Sequence, residues 1–200
     1  MITGVGVCSF LWITFFVFWM AAALFTKRSV ERISLGRALH YGIPVVLGYY
    51  LMFSLHFNLL WLQHRLFRRT ETLGLVAIFL TAGGMAAAFW ARAYLGRNWS
   101  SAPMLREGHE LIRSGPYRFV RHPIYTGLLL AMVGTFLANG RVRGALGVLL
   151  VWYAWTIKSR MEEEFMVRTF GAEYVDYRRT TGALIPQPRL RLPAGRRVES

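Results

Sequence analysis

The side chains best suited to chemistry lie in two short segments, each bordering an apolar run. The first, SGPYRFVRHPIYTG at residues 114–127, places Arg121, His122 and Tyr125 where such a run begins. On a helix that starts at Pro123, His122 and Tyr125 project to about the same side. The free N–H groups of a helix start, beside an arginine and a histidine, favour a bound carboxylate or phosphate. Anchoring at a membrane interface is the alternative interpretation of these residues.

The second segment, KSRMEEEFMVR at residues 158–168, carries three consecutive carboxylates. The carboxylates are Glu162, Glu163 and Glu164, and the flanking cations are Lys158, Arg160 and Arg168. Helical ion pairs four residues apart, from Glu162 to Lys158 and from Glu164 to Arg168, are one explanation of the cluster. The functional alternative is a carboxylate that accepts hydrogen bonds from ribose hydroxyls or offsets the charge of a cationic cofactor.

Long uncharged runs dominate the rest of the chain and predict a polytopic membrane protein. Apolar residues make up 54% of the 200 residues. A helix of about 20 residues crosses the roughly 30 Å hydrocarbon core of a bilayer. Five runs predict about five spanning helices in an all-α fold, at residues 4–25, 41–63, 73–91, 123–140 and 144–157.

The first run predicts a spanning helix and not a cleaved signal peptide. It lacks a basic segment before it, and it is longer than the apolar stretch of such a peptide. The single cysteine, Cys8, lies within this run, so the sequence predicts no intramolecular disulfide.

The distribution of basic residues predicts an orientation. The net charge of +14 could suggest a nucleic-acid partner, but 19 of the 24 lysines and arginines lie in alternate loops and the C-terminal segment. This bias is the positive-inside pattern, with the N-terminus outside and the C-terminus in the cytosol, at the cytoplasmic membrane if the source is prokaryotic. The charge therefore predicts contact with membrane lipids and excludes a nucleic-acid partner.

The connection GRVR between the fourth and fifth runs is too short for anything but an antiparallel hairpin. The hairpin returns the end of the fifth run to the face where the fourth began, so His122 and Glu162 should converge. After the fifth run we expect an amphipathic helix, interrupted at Gly171 and ended by Gly182 and Pro186.

The chain divides into three predicted regions. Residues 1–95 form a transmembrane three-helix region, 96–186 a catalytic region, and 187–200 a basic tail without apolar periodicity. In the third apolar run we expect a packing face of small residues, made of Ala82, Gly83, Ala86 and Ala87.

Together, HELIRSGPYRFVRHPIYTG at residues 109–127 and EEEFMVRTFGAEYVDYRRTTGALIP at residues 162–186 resemble the isoprenylcysteine carboxyl methyltransferase family. The wider superfamily includes phospholipid N-methyltransferases and some sterol reductases, which are usually much longer. The resemblance covers about residues 95–186. It implies an S-adenosylmethionine-dependent enzyme whose cytosolic cofactor pocket is formed by the loop before the fourth span and the helix after the fifth.

The resemblance also implies roles for individual residues. The adenine would be held by the segment from His109 to Ile112, partly through backbone groups, and by Tyr117. The amino-acid portion of the cofactor would contact the residues around the fourth span's start. The implied cofactor-binding residues are His109, Glu110, Leu111, Ile112, Tyr117, Arg121, His122, Pro123, Ile124, Tyr125 and Glu162. No metal is implied.

One position departs from the family pattern. Lys158 stands where the family's substrate-binding arginine falls, and a lysine lacks the bidentate fork of a guanidinium. Lys158 or Arg160 would orient a carboxylate acceptor, which needs no general base. An amine acceptor would have to be neutral first, and Glu163 or His122 could serve as its base.

Three functions remain open at this stage. The first is methylation of a prenylated or similarly lipophilic carboxylate that enters from the bilayer. The second is methylation of a lipid or small molecule at nitrogen or sulfur, which Lys158 favours. The third is a non-enzymatic accessory or transport protein, which would not bind S-adenosylmethionine. The acceptor and the oligomeric state do not follow from the sequence.

Overall fold

The computed structural model describes residues 4–24, 34–54, 59–96 and 111–187. The described residues are helical, as predicted, and two isolated backbone bridges are their only β-type pairings. Two short 3₁₀ turns occur at Leu60–Gln63 and Gly115–Arg118. The helices are α1 (Gly4–Leu24), α2 (Leu35–Phe53), α3 (Glu71–Leu95), α4 (Pro123–Asn139), α5 (Val142–Phe170) and α6 (Ala172–Thr180).

The helices pack in two main pairs, α3 against α4 and α2 against α5, and α1 lies across α3 and α4. The largest core cluster lies where these helices meet. It contains Trp12, Phe15, Met52, Met85, Ala88, Leu128, Ala131, Met132, Val151 and Trp155. Trp155 joins this core to the first polar segment, because its ring stacks on Tyr125.

Glycines allow α3 and α4 to approach closely. A Cβ added at Gly127 would lie 2.5 Å from the carbonyl oxygen of Gly84, so neither position accepts a side chain without separating the helices. The packing face of α3 is therefore not the predicted one. It is made of Ala77, Thr81, Gly84, Ala88 and Ala91, whereas the expected Gly83 and Ala86 are exposed and Ala82 and Ala87 are half-buried.

Several apolar side chains point outward from the bundle. Phe10 on α1, Val46 on α2 and Phe79 on α3 are 68%, 71% and 74% exposed. Among the described residues, α1 and α3 are long and apolar enough to cross a membrane, and α4 is apolar but has 17 residues. Such an exposed apolar surface on helices of this length indicates an integral membrane protein.

The second apolar run folds differently from the prediction, whereas the fifth run is helical as predicted. The second run is not one continuous helix, because α2 ends at Phe53 with extended backbone at Ser54, and a 3₁₀ turn follows from Leu60. The fifth run has no break before the carboxylates, because α5 continues for 29 residues through the predicted amphipathic helix. The predicted number of five spans therefore stays a prediction.

The α4–α5 connection is the predicted hairpin, with α4 ending at Asn139 and α5 beginning at Val142. Gly171, with φ of 54°, separates α5 from α6 as predicted, and α6 ends before Gly182. The N-terminal end of α4 and the C-terminal half of α5 thus lie on one side of the molecule. From residue 188 onward, the predicted basic tail lies outside the described residues.

Candidate functional site

Two segments fix the start of α4. Pro123 occupies the first helical position, and His122 precedes it as the N-cap with non-helical dihedrals, φ −122° and ψ 62°. The segment after α6 runs alongside, because the N–H of Arg121 donates to Gly182 O at 2.8 Å and the N–H of His122 donates to Ala183 O at 3.1 Å. Sequence patterns did not reveal this return of the chain, which satisfies backbone groups and fixes the direction of the His122 side chain.

His122 lies between two carboxylates of α5. Its Nε2 is 3.2 Å from Oε1 of Glu163, and its Nδ1 is 3.4 Å from Oε2 of Glu162. The His122 side chain is 10% exposed, and those of Glu163 and Glu162 are 9% and 25% exposed. The predicted convergence of the two segments is confirmed, and Glu162 is the more accessible of the two carboxylates.

Arg121 forms the main ion pair of the cluster. Its Nε and Nη2 lie 2.8 Å and 2.7 Å from Oε1 of Glu163. Its Nη1 also donates to the carbonyls of Arg178 and Thr181. Arg178 adds a second cation, with its Nε 3.6 Å from Oε2 of Glu163. Glu163 is therefore a connector that binds the start of α4 to α5 and α6.

Tyr125 completes the side of the cluster that faces Glu162. Its hydroxyl donates to Oε1 of Glu162 at 2.6 Å. Its ring stacks on His122 on one side and on Trp155 on the other, with centroid distances of 5.6 Å and 5.5 Å. The stack restrains the orientation of the imidazole and the phenol.

The structure distinguishes the two candidate substrate-orienting cations. The Nζ of Lys158 lies 3.9 Å from Oε1 of Glu162 and over the rings of Tyr41 and Tyr125, at 5.5 Å and 5.4 Å from their centroids. Arg160 is exposed, and no ion pair within the described residues joins it to the cluster. The lysine, not the arginine, is therefore the cation that borders the site.

The ion pairs of the carboxylate segment are partly as predicted. The pair between Glu162 and Lys158 is present. Glu164 and Arg168 are both exposed, and Arg168 donates to the backbone carbonyl of Glu164, 3.3 Å away, in place of the predicted ion pair. Helical pairing accounts for part of the cluster only, because Glu162 and Glu163 also bind residues in and just before the first turn of α4.

Burial and charge act in opposite directions on the pKa values of the cluster. Burial disfavours the imidazolium of His122, but hydrogen bonds and charge from Glu162 and Glu163 outweigh it and raise the pKa of His122. Burial likewise disfavours the charged form of both glutamates, but their polar partners outweigh it. His122 and Lys158 lower the pKa of Glu162, and His122 and Arg121 lower the pKa of Glu163. These shifts favour an imidazolium between two carboxylates near neutral pH.

The remaining predicted cofactor residues lie at varying distances from this cluster. His109 and Glu110 lie outside the described residues, and Leu111 and Ile112 are half-buried at the start of a described range. Tyr117 is buried, donates to Ala91 O at 3.4 Å and accepts a bond from Tyr177 at its carbonyl. Ile124 packs on the main core, and Pro123 is buried.

Sequence reasoning missed Tyr41, Trp155, Arg178 and the carbonyls of Thr181 to Ala183. Arg178 had a weak signal, as the first cation of the YRRTTG segment at residues 177–182. Tyr41 and Trp155 had none, because apolar runs contain many aromatic residues and only tertiary packing selects these two. Within the described ranges, no group of three His, Cys, Asp or Glu residues could hold a metal ion.

Curated relatives support the predicted resemblance at moderate identity. The chain is 30% identical over 79 residues to the protein-S-isoprenylcysteine O-methyltransferase of Saccharomyces cerevisiae, covering 39% of this chain and 33% of that protein. It is 33% identical over 95 residues to the B enzyme of that name from Arabidopsis thaliana, covering 46% and 48%. The Mus musculus enzyme of that name is 28% identical over 163 residues, covering 79% and 55%.

The chain thus spans about a third to a half of the length of the curated relatives it matches. A family model described as "Phospholipid methyltransferase" matches residues 72–173, just over half of the chain. The match begins at α3, earlier than the predicted start of the resemblance near residue 95, and it includes His122, Tyr125, Lys158, Glu162 and Glu163. The chain therefore belongs to the phospholipid methyltransferase family.

Proposed function

We propose that this protein is an S-adenosylmethionine-dependent methyltransferase of the membrane that acts on a lipophilic carboxylate. One observation carries the proposal: His122, Tyr125 and Lys158 all contact the partly accessible carboxylate of Glu162. The contacts lie within the part of the chain that matches the family. The curated relatives named as isoprenylcysteine O-methyltransferases support both the chemistry and the class of acceptor.

The residues of the cluster fit the charged parts of S-adenosylmethionine. The cofactor carries an ammonium, a carboxylate and a sulfonium. Glu162, whose side chain is 25% exposed, is the accessible anion for a cationic group of the cofactor. The His122 imidazolium provides a cation for the carboxylate of the cofactor. When bound, the cofactor supplies an electrophilic methyl group for in-line displacement by an acceptor.

The cofactor-binding roles remain those that the family resemblance implies. Glu162, His122 and Tyr125 hold the amino-acid portion, with Pro123 and Ile124 beside them, and Arg121 fixes the local backbone. Tyr117, Leu111 and Ile112, with His109 and Glu110 from the preceding loop, bind the adenine side. Glu163, which is saturated by Arg121 and His122, acts as a positioning residue for these groups and not as a base.

The electrostatics favour a carboxylate acceptor over an amine. An amine must lose its proton before it attacks, so it needs a base near the acceptor. The raised pKa of His122 and the lowered pKa of Glu163 make both predicted bases poor proton acceptors near neutral pH. A carboxylate needs only a cation to orient it, and Lys158 borders the site in that role.

The membrane brings a lipophilic acceptor to this site. Its apolar tail enters from the bilayer along the exposed apolar faces of the helices, and the polar cofactor enters from the aqueous side, which we propose is the cytosol. Methyl transfer from a sulfonium to a carboxylate cancels opposite charges, so a site with little water favours the transition state. The chain's part is to hold both reactants in line and to exclude water.

The proposal is tested by calorimetric titration of S-adenosylhomocysteine into the purified protein in detergent. We expect binding in the micromolar range for wild type and for the control Glu164→Ala, which changes an exposed carboxylate next to the cluster. We expect at least a tenfold loss of affinity in His122→Ala and Glu162→Ala, since each removes a charged contact. A folded wild type that does not bind would instead support the accessory-protein function.

A further inference from the structure

A group of arginines lies at the end of the bundle opposite the candidate site, and the proposed reaction does not use it. We name it the distal arginine cluster; it consists of Arg65, Arg68, Arg69, Arg141 and Arg143. It includes all the basic residues on the side that the charge pattern predicts to be poor in them. A cation-rich patch on that side therefore needs its own explanation.

Backbone pairing holds the two halves of the distal arginine cluster together. Arg65 and Arg141 form an antiparallel bridge. On its two sides, Leu66 N–H donates to Gly140 O at 2.8 Å and Val142 N–H donates to His64 O at 3.1 Å. These bonds fix the loop before α3 against the α4–α5 turn. They bring the arginines of the loop to the same end of the bundle as Arg141 and Arg143.

The distal arginine cluster lacks compensating negative charge. None of the ion pairs found across residues 4–24, 34–54, 59–96 and 111–187 involves its members, although Glu71 begins α3 nearby. Burial and the charges of Arg65 and Arg141 lower the pKa of Arg69, which places these guanidiniums within mutual repulsion. The Nε atoms of Arg141 and Arg143 are buried without a hydrogen-bond partner.

Arg143 has a structural role that the other members do not share. It is 3% exposed, and its Nη1 donates to Leu51 O at 3.2 Å and to Ser54 O, which closes the C-terminal end of α2. Arg65, Arg68 and Arg69 are exposed on the loop, and Arg141 is half-buried beside them. These four guanidiniums form no ion pair within the described ranges.

Exposed apolar side chains adjoin the distal arginine cluster. Leu59, Trp61 and Leu66 are 54%, 61% and 54% exposed on the same loop. Phe67 is held inward by an edge contact with Phe136 at 5.6 Å. Tryptophan and leucine beside arginine are typical of the bilayer interface, where rings lie at head-group depth and cations meet phosphates.

We propose that the distal arginine cluster binds the phosphate of an anionic phospholipid headgroup, with Trp61 and Leu66 inserted beside its acyl chains. The guanidinium fork suits a phosphate, which accepts paired N–H bonds. The ligand removes the repulsion among the arginines and anchors the loop at the end of the bundle remote from Glu162. This site binds lipid and takes no part in the proposed reaction. The lipid-binding proposal can therefore be tested independently of the proposed methyltransferase function.

The test is native mass spectrometry of the full-length protein, titrated with short-chain phosphatidylglycerol or phosphatidylcholine. The test variant is Arg65→Gln/Arg68→Gln/Arg69→Gln, which changes only exposed side chains. The control is Arg118→Gln/Arg168→Gln/Arg179→Gln, which removes the same charge from exposed positions at the other end. We expect wild type and control to prefer phosphatidylglycerol and the test variant to lose at least roughly tenfold of that affinity.

A separate arm adds inorganic phosphate at millimolar concentration to the wild type bound to phosphatidylglycerol. We expect the lipid to stay bound, since the apolar contacts of Trp61 and Leu66 add to the charge attraction. Equal phosphatidylglycerol binding by the test variant and the control would overturn the proposal. Complete displacement by free phosphate would overturn the assignment to a lipid.

Discussion

The imidazole Nε2 of His122 lies 3.2 Å from Oε1 of Glu163, and this contact joins the start of α4 to α5 across 41 residues of sequence. Arg121 binds the same carboxylate oxygen from the neighbouring position. The two cations therefore share one buried anion, while Glu162 accepts bonds from the other side of His122. This sharing makes the cluster sensitive both to pH and to loss of any one charge.

The stability of the protein should be greatest in mildly acidic solution. Because its pKa is raised in the fold, His122 contributes stability fully below its unfolded pKa and loses it as pH rises through the folded pKa. Because their pKa values are lowered, Glu162 and Glu163 contribute stability above their unfolded pKa and lose it as pH falls through the folded pKa. Both contributions are complete between the ordinary values of 4.5 for glutamate and 6.5 for histidine.

The measurement is the melting temperature in detergent as a function of pH, for wild type and His122→Gln. We expect the wild type to lose stability above its folded His122 pKa and the variant to lack that alkaline decline. Identical pH profiles for the two proteins would show that Glu162 and Glu163 do not raise the pKa of His122.

Glu163→Gln should destabilise the protein by about 3 kcal/mol, since it leaves the buried Arg121 guanidinium without its counter-charge. The control is Glu164→Gln, which alters an exposed carboxylate one residue away and should change the unfolding free energy by less than about 0.5 kcal/mol. Thermal unfolding of both variants at the same pH measures the difference. A similar small effect from both would argue against Glu163 as a connector of α4, α5 and α6.

Lys158→Met should impair methylation of a prenylated cysteine carboxylate more than Arg160→Met does. Lys158 faces Glu162 and Tyr125, whereas Arg160 points away from the cluster. We expect the lysine variant to raise KM for the acceptor at least roughly tenfold, because the carboxylate loses its orienting cation. Steady-state kinetics with an N-acetylated S-prenyl cysteine give the result, and Lys158→Arg should retain most of the activity.

A stronger effect of Arg160→Met than of Lys158→Met would reverse the assignment. In that outcome the acceptor would approach from the exposed face of α5, not from the side of Tyr41.

Gly127→Ala should destabilise the bundle by about 1–3 kcal/mol, because the added methyl group meets the backbone of Gly84 and forces α3 and α4 apart. Gly83→Ala is the matched control on α3. A Cβ at Gly83 meets no atom within 4 Å, and alanine is the better helix former, so that change should be neutral or slightly stabilising. Unfolding of the two variants side by side distinguishes the packing face from its neighbour. Equal destabilisation by the two substitutions would instead support the predicted packing face, which includes Gly83.

Much of the site's composition follows from local sequence. Pro123 predicts the helix start, and the spacing of His122 and Tyr125 predicts that they share a side. The four-residue connection GRVR between the fourth and fifth apolar runs requires a hairpin, so Glu162 has to return to the level of His122. These inferences hold because they depend on helix periodicity and chain length, which act over a few residues.

Only the tertiary structure decided which face of each helix is turned inward. Lys158 and Arg160 are two residues apart and so point roughly 200° apart on α5. The packing of α5 against α2 brings Lys158 to Tyr41 and leaves Arg160 exposed. An uncharged apolar run contains no polar stripe that would mark which face is turned inward. The predicted packing face of α3 therefore differs by about one residue from the face that is buried.

The sequence by itself determined the helical class, the two polar segments and their convergence, because apolar length and short connections leave few alternatives. The tertiary structure alone decided that residues 181–184 run beside the start of α4, that Arg178 joins Glu163, and that Tyr41 borders Lys158. These contacts join elements distant in sequence through single backbone bonds or rings. Their geometry depends on how whole helices pack, and no local pattern records it.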